Sequence, residues 1–177
     1  MRPIPALLAF LAVATPAFAQ DGVTVEAGTA LGLAWTHAGG ANITSVGIPG
    51  GGTLLGISTF YVSIFPVPKL MLEPQLNVTT TSSNGNTSWV FSGIGQIGYL
   101  AYPEQRGSPY IAAHGGVFHS TFGSDTSYTG GAFGGSAGYR WQIGRGGALR
   151  FEVRYRHWMQ DFESEQFTFT LGVGGIF

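Results

Sequence analysis

Gly146–Phe177 reads GGALRFEVRYRHWMQDFESEQFTFTLGVGGIF. Within it, Leu149, Phe151, Val153 and Tyr155 alternate with Arg150, Glu152, Arg154 and Arg156. After a short acidic connection, Phe167, Phe169, Leu171 and Val173 alternate with Thr168, Thr170, Gly172 and Gly174. Successive side chains of a strand point to opposite faces, so a period of two marks a strand with two different faces. Here one face is apolar, the other is charged or small, and the chain stops on an aromatic residue, Phe177. The two segments read as the closing hairpin of a membrane β-barrel.

Composition points the same way. Charged residues make up 10% of the chain, against about 25% in an ordinary soluble domain. Gly accounts for 29 of 177 residues, more than twice the usual share of about 7%. Positive and negative charges nearly balance, so no basic surface points to nucleic acid. The absence of Cys excludes a disulfide scaffold and Cys-ligated metal. At the start, Arg2, the apolar run Ala6–Val13 and the small residues Ala17 and Ala19 have the three regions of a secretory signal peptide. Residues 1–19 are therefore expected to be removed, leaving one domain over residues 20–177. After that point no apolar stretch is long enough for a transmembrane helix. An exported, Gly-rich, low-charge chain of this kind fits the other structure that can span lipid, a closed barrel.

Eight strand-like segments follow the signal. They run at about Gly22–Thr36, Thr53–Phe65, Leu70–Thr81, Ser88–Ala101, Pro109–Thr121 and Tyr128–Ile143, and end with the two strands of the terminal hairpin. Pro66–Lys69, Tyr102–Ser108 and Gly144–Gly147 are compact turns on one side, while His37–Gly52 is read as a long Gly-rich loop on the other. The expected fold is all-β, an eight-stranded antiparallel up-and-down transmembrane barrel. A soluble lipocalin-like barrel has the same strands turned inside out. The face opposite the apolar one decides between them: in several strands it is Gly, Ser, Thr and Ala, a poor soluble surface that suits a crowded lumen. Trp35, Trp89, Tyr99, Trp141 and Trp158 sit near strand ends, where interfacial aromatics belong.

With that orientation, Glu26, Glu73, Arg140, Arg150, Glu152, Arg154 and Arg156 point inward. Strand direction places the first five in the periplasmic half, where a charge network is expected to plug the lumen and pin the register. Arg154 and Arg156 lie higher, with no acid at their level, and their expected partners are Asp161, Glu163 or Glu165 of the last connection, water, or an anion.

On these features the chain resembles the small bacterial outer-membrane β-barrel proteins of the OmpA/OmpX-like group. The most specific piece is the ending, with Gly172, Val173 and the terminal Phe177; Gly175 departs from the hydrophobic residue usual there. The resemblance implies an outer-membrane location, contact with membrane lipids and lipopolysaccharide, and recognition of Phe177 by the barrel assembly machinery. It also implies a structural or surface role, with the loop His37–Gly52 open to a partner.

The alternatives are a narrow channel and an enzyme. Lipid A deacylases of the PagL type, also eight-stranded barrels, carry a His, a Ser two residues on, and an acid. Here His157 precedes Glu163 and Glu165, but two residues beyond it stands Met159, and Ser164 is at a different spacing. An acyl-transfer nucleophile needs a hydroxyl or thiol beside its base, so no catalytic residue is assigned. His114 and His119 differ in parity and cannot share a metal. Gly50–Gly52 lacks the Lys-Ser/Thr of a phosphate loop. Neither cofactor nor metal is expected.

Overall fold

The computed structural model describes residues 23–47, 60–83, 86–122, 126–144, 146–159 and 164–177. Residues 1–19, the expected signal peptide, lie outside them, as do 48–59, which hold the expected start of the second strand. The described residues form β1 (Thr24–Ala38), β2 (Ala41–Gly47), β3 (Phe60–Val67), β4 (Leu70–Ser83), β5 (Asn86–Leu100), β6 (Gly107–Phe122), β7 (Thr126–Ile143), β8 (Gly147–Met159) and β9 (Ser164–Ile176). From β3 onward each strand pairs antiparallel with the next, and β9 returns to β1 from Glu26↔Ile176 to Ala38↔Ser164. Phe177 completes that closure, with its N–H donating to the Val25 carbonyl at 2.8 Å and its carbonyl accepting from the Val25 N–H at 3.1 Å.

Eight wall positions hold nine strands because β2 and β3 share one edge of β1. β3 pairs with Thr24–Thr29, and β2 pairs with Gly32–Ala38. This corrects the reading of His37–Gly52 as one long loop. Ala38 pairs directly with Ala41 across Gly39 and Gly40, whose φ angles are +55° and +79°. Two consecutive positive φ values make a two-residue hairpin turn of the type that matches strand twist, and Gly-Gly adopts it without a Cβ penalty. His37 through Gly47 is therefore hairpin, and only residues 48–52 of the expected loop lie outside the described part.

The strands run long. The 18 residues of β7, at about 3.3 Å each and a tilt near 45°, rise about 40 Å, more than a hydrocarbon core of about 30 Å. The excess at the end away from the chain terminus continues as strand, so the connections there are short. Between strand ends, β4–β5, β6–β7 and β8–β9 leave two, three and four residues.

Burial fixes which face is inside. Leu76, Ile111, Val117, Leu171 and Val173 are exposed, as are Phe151 and Phe169, all on the outward parity. Glu73, Gln75, Gln96, Glu152 and Thr168 are buried on the inward parity. A wall this apolar around a polar interior faces lipid, since a soluble barrel needs the reverse. The lumen is filled to the backbone. The Tyr110 ring lies against Gly138, where an added Cβ would collide with it and with the Phe151 carbonyl. Phe65, Met71, Leu100 and Tyr110 cluster toward the end that holds Phe177, and Ile94, Phe118, Ala132 and Trp158 cluster toward the far end. Glu73 and Gln96 lie between these two apolar layers.

Candidate functional site

The hairpin β8–β9 supplies most of the lumen's chemistry, because the even residues of β8 from Arg150 to Arg156 all face inward and are buried. Arg150 is the hub. Its Nη1 donates to Glu73 Oε2 and to Ser63 Oγ (3.2 Å), its Nη2 to Glu152 Oε2 (2.7 Å), and its Nε to the Tyr110 hydroxyl (2.7 Å). The rings of Tyr61 and Tyr110 flank its guanidinium at 5.1 and 5.0 Å. Two carboxylates and two π faces thus hold one planar cation, the arrangement for which Arg is better suited than Lys.

Glu152, 1% exposed, also accepts from the Tyr110 hydroxyl at 2.5 Å and Gln96 Nε2 at 3.3 Å on Oε2, and from Arg154 Nε at 2.8 Å and Arg154 Nη2 on Oε1. Glu73 accepts from the Ser63 hydroxyl at 2.7 Å and Gln75 Nε2 at 2.9 Å. Nearer the chain terminus, Arg140 Nε donates to Glu26 Oε2 at 2.5 Å, the Tyr61 hydroxyl donates to Glu26 Oε1 at 3.1 Å, and the Arg140 guanidinium lies 5.3 Å from the Phe65 ring.

Arg154 differs from its sequence expectation. It has an acid within reach, Glu152, two residues earlier on the same face of the same strand, and it lies 4.0 Å from Glu73 Oε1. Same-face neighbours on a strand are about 7 Å apart, and two long side chains bridge that gap. Glu165 faces outward and is exposed, accepting from the Tyr155 hydroxyl at 3.2 Å; Asp161 and Glu163 lie outside the described residues. Arg156 donates from Nη2 to Gln75 Oε1 at 3.4 Å and lies over the Trp158 ring at 5.2 Å.

Tyr61, Ser63, Gln75, Gln96 and Tyr110 complete the network without having been singled out as site residues. Their signal was strand parity, which puts Gln75 beside Glu73 and Tyr110 in phase with His114. Within the network lies a cavity of about 20 Å³, bordered by Tyr61, Gln75, Arg150, Arg154, Thr170 and Gly172, room for about one water molecule.

The candidate catalytic pieces do not assemble. His157 pairs with Glu165, and Ser164 pairs with Trp158, so His157 points out of the barrel while buried Ser164 points in. Met159 is exposed. His114 faces the lumen and His119 the outside, where its Nδ1 is 2.7 Å from Thr129 Oγ1. Of the proposed ending, Val173 faces outward and Gly172 lies under the Tyr61 ring, where an added Cβ would come within 3.1 Å.

Neither a protein-family model nor any curated protein sequence matches the chain. Solved structures do match. The crystal structure of Neisserial surface protein A aligns with a TM-score of 0.63 at 13% identity, covering 87% of this chain and 96% of that one. This is the fold of the small outer-membrane β-barrels. A second such barrel, the attachment invasion locus protein Ail of Yersinia pestis in complex with the heparin analogue sucrose octasulfate, aligns with a TM-score of 0.55 at 13% identity, over 88% of this chain and 97% of that one. At these identities, what the outer-membrane barrels share with this chain is architecture.

Proposed function

We propose that this chain is a structural and surface barrel of the bacterial outer membrane, with a lumen plugged by charge and far-end hairpins available to envelope or external partners. The observation that carries this reading is the buried network in which Arg140, Arg150 and Arg154 pair with Glu26, Glu73 and Glu152, and Arg156 joins through Gln75. Burying charges demands partners of good geometry, and a lattice of such partners also fixes strand register. Eight strands leave little open bore to begin with.

The far rim supports contact with lipid headgroups. Tyr155, Phe167 and Trp35 sit side by side on β8, β9 and β1, and one step farther out come His157, Glu165 and His37. An aromatic row with a polar row above it belongs at a membrane interface, and in the outer leaflet lipopolysaccharide is the headgroup it would meet. At the opposite end, Phe177 and Val173 are the residues we assign to recognition by the barrel assembly machinery. The surface reading takes its partner class from the neighbouring folds, one of which was solved with a sulfated polyanion.

The test is conductance. The purified barrel in planar lipid bilayers is expected to show no steady unitary conductance, and the Glu73→Ala/Arg150→Ala variant is expected to acquire one. Steady conductance by the unsubstituted protein would make it a channel and overturn the plug.

A further inference from the structure

We propose that the end of the barrel that holds Phe177 carries a binding site for a small organic monocarboxylate, built around Arg140. A cavity of about 230 Å³ lies at that end. Its walls come from around the whole barrel: Thr24 of β1, Phe65 of β3, Leu100 of β5, Gln142 of β7 and Ile176 of β9. Pro68 and Pro103, from the turns after β3 and β5, finish the rim. Arg140 lies two residues deeper on β7 than Gln142 and is 9% exposed. It is the one charged residue among the described residues that line the cavity. Glu26, its ion-pair partner, is 1% exposed and does not border that space.

How Arg140 is held decides what the cavity can take. Its Nε donates to Glu26 Oε2 at 2.5 Å, and the Phe65 ring covers one face of the guanidinium at 5.3 Å. The edge formed by Nη1 and Nη2 has no hydrogen bond to a described residue. Two parallel N–H groups on such an edge match the two oxygens of a carboxylate. Glu26 balances the charge of Arg140, so a bare ion gains little here, and the fork favours a planar head with two acceptor oxygens. Thr24 and Gln142 add a hydroxyl and an amide for the remaining lone pairs. Phe65, Leu100, Ile176 and the two prolines offer contact to an apolar body. A few polar groups in an apolar concavity are the composition of small-molecule sites. Size sets the class: drug-sized ligands need about 300–1,000 Å³, so this cavity suits a short aliphatic or single-ring acid. The layer of Phe65, Met71, Leu100 and Tyr110 closes the lumen behind it, so the ligand enters and leaves at the end that holds the chain terminus.

Ile176 provides the reporter. Residues 20–177 are refolded in detergent micelles with labelled Ile methyl groups, and NMR follows a titration with benzoate and another with benzamide, its neutral counterpart. Benzoate is expected to shift the Ile176 methyl saturably and to leave that of Ile94, in the far apolar layer, unmoved. Benzamide is expected to bind at least tenfold more weakly. Arg140→Met combined with Glu26→Gln removes the cation without leaving a buried charge unpaired. With folding confirmed by a heat-modifiable gel shift, this variant is expected to weaken benzoate binding at least tenfold. If the pair prevents folding, Gln142→Trp, which fills the mouth and leaves the ion pair intact, is expected to weaken it as much. No saturable shift, equal binding of benzoate and benzamide, or unchanged affinity in a folded variant would overturn the proposal. So would a benzoate shift that appears only after Asp21→Asn, which would assign the site to the chain's own first residues.

Discussion

Glu152→Ala is expected to destabilise the folded barrel by about 3–5 kcal/mol, the range for removing one partner of a buried ion pair. The size of the effect follows from what loses its acceptor. Arg150 and Arg154 both donate to Glu152, as do Tyr110 and Gln96. Deleting the carboxylate leaves the two guanidiniums with Glu73 as the one carboxylate they share, within a lumen they cannot leave. Denaturant unfolding in micelles, followed by tryptophan fluorescence, measures the loss. Glu165→Ala is the control. It removes a carboxylate from the same hairpin, but that group is exposed and bonded to one tyrosine hydroxyl, and the expected change is within about 0.5 kcal/mol. Equal effects at the two positions would show that the lumen carboxylates are not buried against their partners.

Leu171→Arg is expected to cost about 2–4 kcal/mol when the barrel is folded in lipid, the range for Arg on the lipid face near the bilayer midplane. Leu171 is 56% exposed and lies near the middle of β9, level with Leu31 and Phe151 on either side. In a soluble protein an exposed Leu is replaced by Arg at almost no cost, so the substitution separates lipid from water as the medium around the wall. Folding equilibria in vesicles give the value, and Glu165→Arg at the far rim is expected to change stability by no more than about 1 kcal/mol.

The alternation of β8 and β9 was legible because both faces carry strong and opposite chemistry: Phe151 against Glu152, Phe169 against Thr168. A period of two then determines strand, face and barrel at once. Ala41–Gly47 was misread because ANITSVG has no such contrast. Its two large apolar residues, Ile43 and Val46, differ in parity, so only the Gly39–Gly40 turn signalled it, and in a Gly-rich neighbourhood that signal looked like loop. The inward charges were legible from parity alone. Their partners were not, because assigning heights by Cα position ignores the reach of long side chains, which lets Arg154 fold back to Glu152. Parity also placed Gln75 and Tyr110 in the lumen. What it could not give was that Arg150 would be the centre, since that depends on how β3, β4, β6 and β8 converge.

On this account an apolar wall faces lipid around a lumen closed to water. The chain has no Cys, so a single introduced Cys carries a unique spin label. Labels placed one at a time from Phe167 to Val173, with the barrel in lipid vesicles, can be tested by electron paramagnetic resonance for collision with oxygen, which concentrates in lipid, and with a polar nickel chelate, which stays in water. The expected result is a period of two: Phe167, Phe169, Leu171 and Val173 reached by oxygen and not by nickel, and Thr168 and Thr170 reached poorly by either. Nickel access at Thr168 and Thr170 would contradict the closed lumen, and nickel access at Leu171 would contradict the membrane barrel itself.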